Sequence, residues 1–267
     1  MSSPRKTGQE SGSPARETKT AFFRFYAELN DFLPAHSRQK TVAETFGDGQ
    51  TVKHLIEALG VPHTEIDLIL VNGEPTDLSY QVQDGDRVSV YPPFESIDIM
   101  PLTSVRPSPL VEPRFILDGH LGRLAAYLRM VGFDTLYRND YDDEALARIS
   151  SEDHRILLTR DRGLLKRSIV TRGYWLRQTD PRAQLVEVLR RFDLFDRLSP
   201  FTRCLSCNGL LQPIPKEVVA DRLPPDTRKT HDEFRVCRAC GQVFWDGSHV
   251  ERMRKLIEWV LEQRRES

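Results

Sequence analysis

Four cysteines in 267 residues fall into two Cys-x-x-Cys pairs, Cys204 with Cys207 and Cys237 with Cys240, separated by 29 residues. Four thiolates at this spacing suit the closed tetrahedral shell of structural zinc. A redox dithiol would need only one of the pairs. Zinc is therefore the expected cofactor, organising a small ribbon-like hairpin with no coordination position left open for substrate. Clustered thiols of this kind fit a reducing compartment better than a disulfide scaffold. The sequence contains no apolar run near the roughly 18 residues that would span a bilayer, and residues 1–19 lack the apolar stretch of a secretory signal. A cytoplasmic protein with a disordered tail over 1–19 and no membrane partner is expected.

Charge divides the chain further. Within the formal total of −1, residues 20–95 carry −7, residues 114–200 carry +3 and residues 201–267 carry +2, the remaining residues adding +1. Nearly all the positive charge of the middle region is Arg, whose planar fork matches phosphate oxygens, so nucleic acid is the partner it suits. The acidic first region reads instead as a surface for docking a protein partner.

Over 20–95 the β-prone run Ala21–Tyr26 and a second strand ending at Phe46 predict a pair. A helix follows over 51–60, with Val52, Leu55, Ile56 and Leu59 on one face and Gly60 as its stop. Leu68–Val71 before an Asn72-Gly73 turn, and Arg87–Tyr91 after Asp84-Gly85-Asp86, predict two more strands. This ββαββ order, closed by Pro92-Pro93, resembles the β-grasp fold of ubiquitin-like proteins, with the nearest likeness to the small sulfur carriers of thiamine and molybdopterin synthesis. Those carriers end in Gly-Gly, whereas this chain continues Phe94-Glu95-Ser96-Ile97, so their sulfur chemistry is not expected here.

Residues 96–113 hold four prolines and read as a stiff linker. Beyond it, short apolar strands alternate with helical patterns: Arg114–Leu117, a helix carrying Leu121, Leu124, Ala125 and Leu128 and closed by Gly132, Asp134–Tyr137, a helix over 142–149, Arg155–Thr159, a helical turn, Gly173–Leu176 and a helix over 181–192. The alternation predicts a parallel sheet with helices on both faces over 114–200. Loops leaving the carboxyl ends of such strands share one edge, and acids recur there: Asp118, then Asp142 and Asp143, then Asp161, then Asp180. Clustered carboxylates can hold magnesium or manganese for phosphodiester hydrolysis. The same residues also serve as helix caps, most plainly Asp180 before Pro181.

Three motifs carry a specific likeness: Phe115-Ile116-Leu117-Asp118-Gly119-His120-Leu121-Gly122-Arg123-Leu124, Leu128-Arg129-Met130-Val131-Gly132-Phe133-Asp134-Thr135 and Arg155-Ile156-Leu157-Leu158-Thr159-Arg160-Asp161. They resemble the Mut-seven C-terminal RNase family, a PIN-like nuclease fold with a zinc ribbon, in bacteria often fused to a ubiquitin-like module. The resemblance implies a metal-dependent ribonuclease whose active-site acids transfer onto Asp118 and Asp161, with Asp142, Asp143 and Asp180 as further partners.

The region 201–267 adds the ribbon and a closing helix over about 250–264. Arg203, Arg235, Arg238 and Trp245 around the knuckles offer base stacking and phosphate contact, and Arg123 and Arg160 flank the acids. The expected architecture is thus α+β and α/β in three parts: a β-grasp domain, a PIN-like domain and a four-cysteine ribbon. The expected function is RNA cleavage with the ribbon holding RNA. The alternative is a catalytically silent RNA- or ribonucleoprotein-binding adaptor whose ubiquitin-like domain docks a protein.

Overall fold

The structure is a computed structural model, and it describes residues 18–93, 105 and 112–266. Residues 1–17 of the expected tail and 96–104 and 106–111 of the expected linker lie outside the described residues, and Lys19 already opens the first strand.

The N-terminal unit is a five-stranded mixed sheet of β1 (Lys19–Phe25), β2 (Thr41–Phe46), β3 (Leu68–Val71), β4 (Glu74–Thr76) and β5 (Arg87–Tyr91), in the order β2-β1-β5-β3-β4. Its two central strands, β1 and β5, run parallel. Alternation sets the faces: Ala21, Phe23 and Phe25 are buried while Phe22 is 39% exposed. Helix α1 (Val52–Ala58) closes the buried face with Val52, Leu55 and Ile56, is capped by the Thr51 hydroxyl, and stops before Gly60 at φ +111°. The sequence reading lacked β4, a three-residue strand formed because Asn72 and Gly73, both at positive φ, turn the chain back on itself.

The central unit contains β6 (Arg114–Leu117), α2 (Gly122–Met130), β7 (Asp134–Tyr137), α3 (Asp143–Glu152), β8 (Ile156–Thr159), α4 (Arg162–Leu165), β9 (Gly173–Trp175) and α5 (Pro181–Arg191). All four strands are parallel, in the order β7-β6-β8-β9. Phe115, Leu117, Ile156 and Leu158 face one core, with α2 and α5 against it; Ile116 and Leu157 face the other, against α3 and α4. The result is a three-layer sandwich. Gly132 ends α2 at φ +102°, where a Cβ would lie 2.3 Å from the Ser199 carbonyl oxygen.

The C-terminal unit is an antiparallel sheet of β10 (Leu211–Ile214), β11 (Phe234–Cys237) and β12 (Val243–Trp245). The long gap between the cysteine pairs holds α6 (Lys216–Val219) and α7 (Pro225–Thr230), which the sequence reading did not anticipate; Pro215 and Pro224 precede them. Helix α8 (Ser248–Glu262) then returns to the central unit and buries Leu256, Ile257 and Val260 in the α2/α5 core.

Two seams join the units. At the start of the parallel sheet, Asn208 accepts from Thr135 N at 2.9 Å and donates to Asp134 at 2.9 Å, while Arg129 donates to the carbonyls of Thr135, Leu205 and Ser206. Bonds from a buried guanidinium of this kind contribute about 1.5–3 kcal/mol each. At the β9 edge, the buried Glu65 carboxylate accepts from Trp175 N at 2.6 Å, so an otherwise free edge-strand donor is satisfied by the β-grasp domain. Beside it His63 bridges Glu57 and the Val170 carbonyl. Arg162 donates to the carbonyls of Asp31 and Phe32, its guanidinium 4.1 Å from the Trp175 ring centroid.

Candidate functional site

The strand order decides where a ligand fits. β6 leads to β7 on one side and the next crossover leads to β8 on the other, so the connections diverge between β6 and β8. Ligands of open parallel sheets bind at such a switch point, outside the carboxyl ends of the strands. Asp118 follows β6 and Asp161 follows β8, the two strands that flank the crevice.

Thr159 couples them. Its hydroxyl donates to Asp118 Oδ2 at 2.9 Å and accepts from Asp161 N at 2.9 Å, while Asp118 N donates to the Leu158 carbonyl at 3.2 Å. The Thr159 side chain is fully buried, so its rotamer and the carboxylate it holds are fixed by packing. Sequence reasoning missed Thr159. Its position inside Leu158-Thr159-Arg160-Asp161 was visible, but its role depends on the β6 and β8 register, which pairs Leu117 with Leu158.

Each acid has a local task as well. Asp161 Oδ1 accepts from Gly163 N at 2.7 Å and caps α4, and Asp118 Oδ1 accepts from His120 N at 3.4 Å. Asp142 Oδ1 caps α3 through Ala145 N, and Asp180 Oδ1 caps α5 through the amides of Arg182 and Ala183. Asp143 stands exposed in the first turn of α3. Among the described residues, no group of three or more carboxylate, His or Cys ligand atoms gathers around Asp118 and Asp161. Two carboxylates with a water shell are still a normal magnesium set, since that ion keeps several waters and takes its remaining ligands from phosphate. The hard oxygen donors and the half-buried Asp118 fit such an ion. Arg123 and Arg160 are both exposed on the same edge, and the Arg160 carbonyl is tied to Trp175 Nε1 at 3.1 Å.

The four thiols form the second centre. Their Sγ atoms all lie within 4.8 Å of one another, with Cys204 to Cys240 at 3.8 Å and Cys207 to Cys237 at 3.4 Å. Tetrahedral sulfur at the usual zinc distance of about 2.3 Å gives edges of about 3.8 Å. The cluster can therefore hold a metal such as zinc. Burial pushes the Cys204 and Cys207 thiols up, the latter to about 12. At Cys237 burial pushes the same way, but donation from the Cys240 and Ala239 amides overcomes it and holds the thiol at about 7. Gly209 keeps this space open, because a Cβ there would lie 2.8 Å from Cys237 Sγ.

The remaining basic residues separate by use. Arg203 donates to the carbonyls of Gly132 and Asn208 and lies 3.7 Å from Asp134, so its guanidinium is a strut of the knuckle seam. Arg235 and Arg238 are exposed, holding the Phe201 carbonyl and Gln212 respectively. Trp245 is half-buried and packs against the small ribbon core of Val219, Leu223 and Phe234. No described helix is long and apolar enough to cross a membrane.

Comparison with known proteins bears on the family and the order of the domains. The Mut7-C ubiquitin domain model matches residues 18–98. No curated protein matches the chain. The solution structure of the Haloferax volcanii HVO 2177 protein is similar at 22% identity and a TM-score of 0.24, over 33% of this chain and 97% of that one. The Mut7-C RNAse domain model matches residues 113–257, more than half of the chain, which therefore belongs to that family, with its ubiquitin-like companion domain in front.

Proposed function

We propose that this chain is a metal-dependent ribonuclease that cleaves RNA phosphodiesters in the crevice between β6 and β8. The observation that supports it most is the Asp118–Thr159–Asp161 bridge at the switch point of the parallel sheet. Asp118 and Asp161 would hold magnesium or manganese, which when bound supplies water activation and stabilises charge on the leaving oxygen. Thr159 holds the Asp118 carboxylate in one orientation by donating to Oδ2. Arg123 and Arg160 bind phosphate on the rim, where their charge steers RNA to the crevice. Asp142, Asp143 and Asp180 are further candidates on the same edge, although the caps formed by Asp142 and Asp180 occupy one oxygen of each.

The thiol cluster, in this reading, carries structural zinc, and Arg235, Arg238 and Trp245 of the ribbon hold RNA by phosphate contact and stacking. Arg203 is left out of that set because its donors are occupied at the seam. The acidic β-grasp domain docks a protein partner, and the reduced thiols suit action in the cytoplasm.

One observation favours the second reading, a catalytically silent RNA-binding adaptor. Asp161 Oδ1 is already engaged by Gly163 N, which makes this acid a helix cap. Cleavage assays separate the two. Wild type should release products from single-stranded RNA only with added manganese, and Asp118→Asn and Asp161→Asn should each lose them while still binding RNA. Binding by all three proteins without products from any would support the adaptor.

A further inference from the structure

A cleft of about 430 Å³ opens where the β-grasp domain, α5 and the end of α8 meet, and three arginines line it: Arg177, Arg190 and Arg191. Two lie over one ring, with the Arg191 guanidinium 5.2 Å and that of Arg177 5.4 Å from the Tyr174 centroid. Arg191 is the telling residue. Its Nε is buried, and among the described residues no acceptor lies within hydrogen-bonding reach. Arg177 Nη2 is buried in the same state, 3.8 Å from Glu65 Oε2 and beyond hydrogen-bond range. Buried donors are nearly always satisfied, so such a pair calls for a further acceptor, a water or an anion's oxygen, at the cleft.

The neighbouring acids do not fill that role. Glu187, on the cleft wall, accepts from Tyr174 Oη and Arg177 N with one oxygen and from Gln178 N with the other. Glu65 accepts from Trp175 N, and burial holds its carboxyl above the usual range. Glu28 stands half-buried in the cleft lining. The exposed Arg190 holds the Gln263 carbonyl through Nη2 alone, so its other donors are available. Trp259, 37% exposed, also lines the cleft and adds an aromatic surface.

We propose that this cleft is a phosphate-binding site in which the Arg191 and Arg190 guanidinium groups, backed by Arg177, grip a phosphate and Trp259 stacks with any base attached to it. An anion with several oxygens is the ligand such planar forks match. The phosphate could be free or part of an RNA strand, and the two sources give different titrations. The proposal concerns a cleft separate from the acid pair and does not rest on cleavage.

The full chain is titrated calorimetrically with inorganic phosphate and, separately, with hexauridylate, with no added magnesium or manganese. Saturable binding of either ligand, weakened about tenfold in Arg191→Gln and about threefold in Arg190→Gln, is expected from loss of charge-assisted bonds. Arg191→Lys keeps the charge but not the Nε donor, and should bind more weakly than wild type. Equal affinity for the two ligands names free phosphate as the source; binding of hexauridylate alone names the RNA strand. Affinities unchanged in both glutamine variants, or no saturable binding of either ligand, overturn the proposal. Arg190 is exposed, so its variant keeps the test decisive if Arg191→Gln fails to fold. Because no divalent ion is added, the result reads the same whether or not the acid pair cleaves RNA.

Discussion

The two ends of the parallel sheet are built on opposite plans. At its start, the thiol knuckle supplies four ligand atoms from two short segments, and Asn208, Arg129 and Arg203 bolt it to Asp134 and Thr135. At its finish, a strand length of about 13 Å away, one buried hydroxyl joins the Asp118 carboxylate to the Asp161 backbone N–H, with no group of three ligands there among the described residues. A closed four-ligand set holds structure, whereas an incomplete set with solvent access leaves room for substrate. On the proposed reading, the same chain carries a centre that is finished without RNA and one that RNA would complete.

The comparison breaks most easily at the knuckle. Cys237→Ser should lower bound zinc from about one ion per chain to near zero, and hydrogen exchange should rise across β10 to β12 and at Thr135 N, since metal affinity in such modules is folding free energy. Retained zinc with unchanged exchange would mean that the thiols are not the ligands. Next in size is Gly132→Ala, which meets the Ser199 carbonyl at positive φ on the same edge. A loss of about 2–3 kcal/mol in chemical denaturation is expected.

At the other end, Thr159→Val keeps the shape but removes the bridging hydroxyl. It should cost about 1–2 kcal/mol of stability, lower cleavage about tenfold or more, and leave zinc content unchanged. An effect on zinc instead would mean that the two ends are not independent. The smallest effect belongs to the β9 edge. Burial raises the Glu65 carboxyl above its unfolded value despite the nearby Arg191 and Arg177. A group with a raised folded pKa contributes stability that is complete below the unfolded value and is lost as pH rises through the folded one. Glu65→Gln keeps an acceptor for Trp175 N and should flatten this decline above about pH 4.3; an unaltered slope in denaturation at a series of pH values would contradict it.

How much of this was legible in the sequence follows from the same contrast. The knuckle could be read because its ligands are neighbours in the chain. The stops at Gly60 and Gly132 and the caps at Asp142 and Asp180 were readable for the same reason, as each acts within a few residues of itself. The helical insert between the cysteine pairs was not, because its four-residue and six-residue helices are too short to show a period. Thr159 was silent because only the pairing of β6 with β8 brings it to Asp118. Arg203 looked like a surface cation from its neighbours alone, and only the docking of the knuckle reveals carbonyls waiting for it. Charge type was legible in each case, but the partner was not wherever the contact crosses a seam.

The central claim is that residues 118 and 161 share a divalent ion between β6 and β8. Manganese binding to the zinc-loaded full chain, followed by electron paramagnetic resonance of the bound ion, tests it most directly. The account predicts one site that is lost in Asp118→Asn and in Asp161→Asn while zinc content stays constant. Manganese binding undiminished in both variants would contradict it.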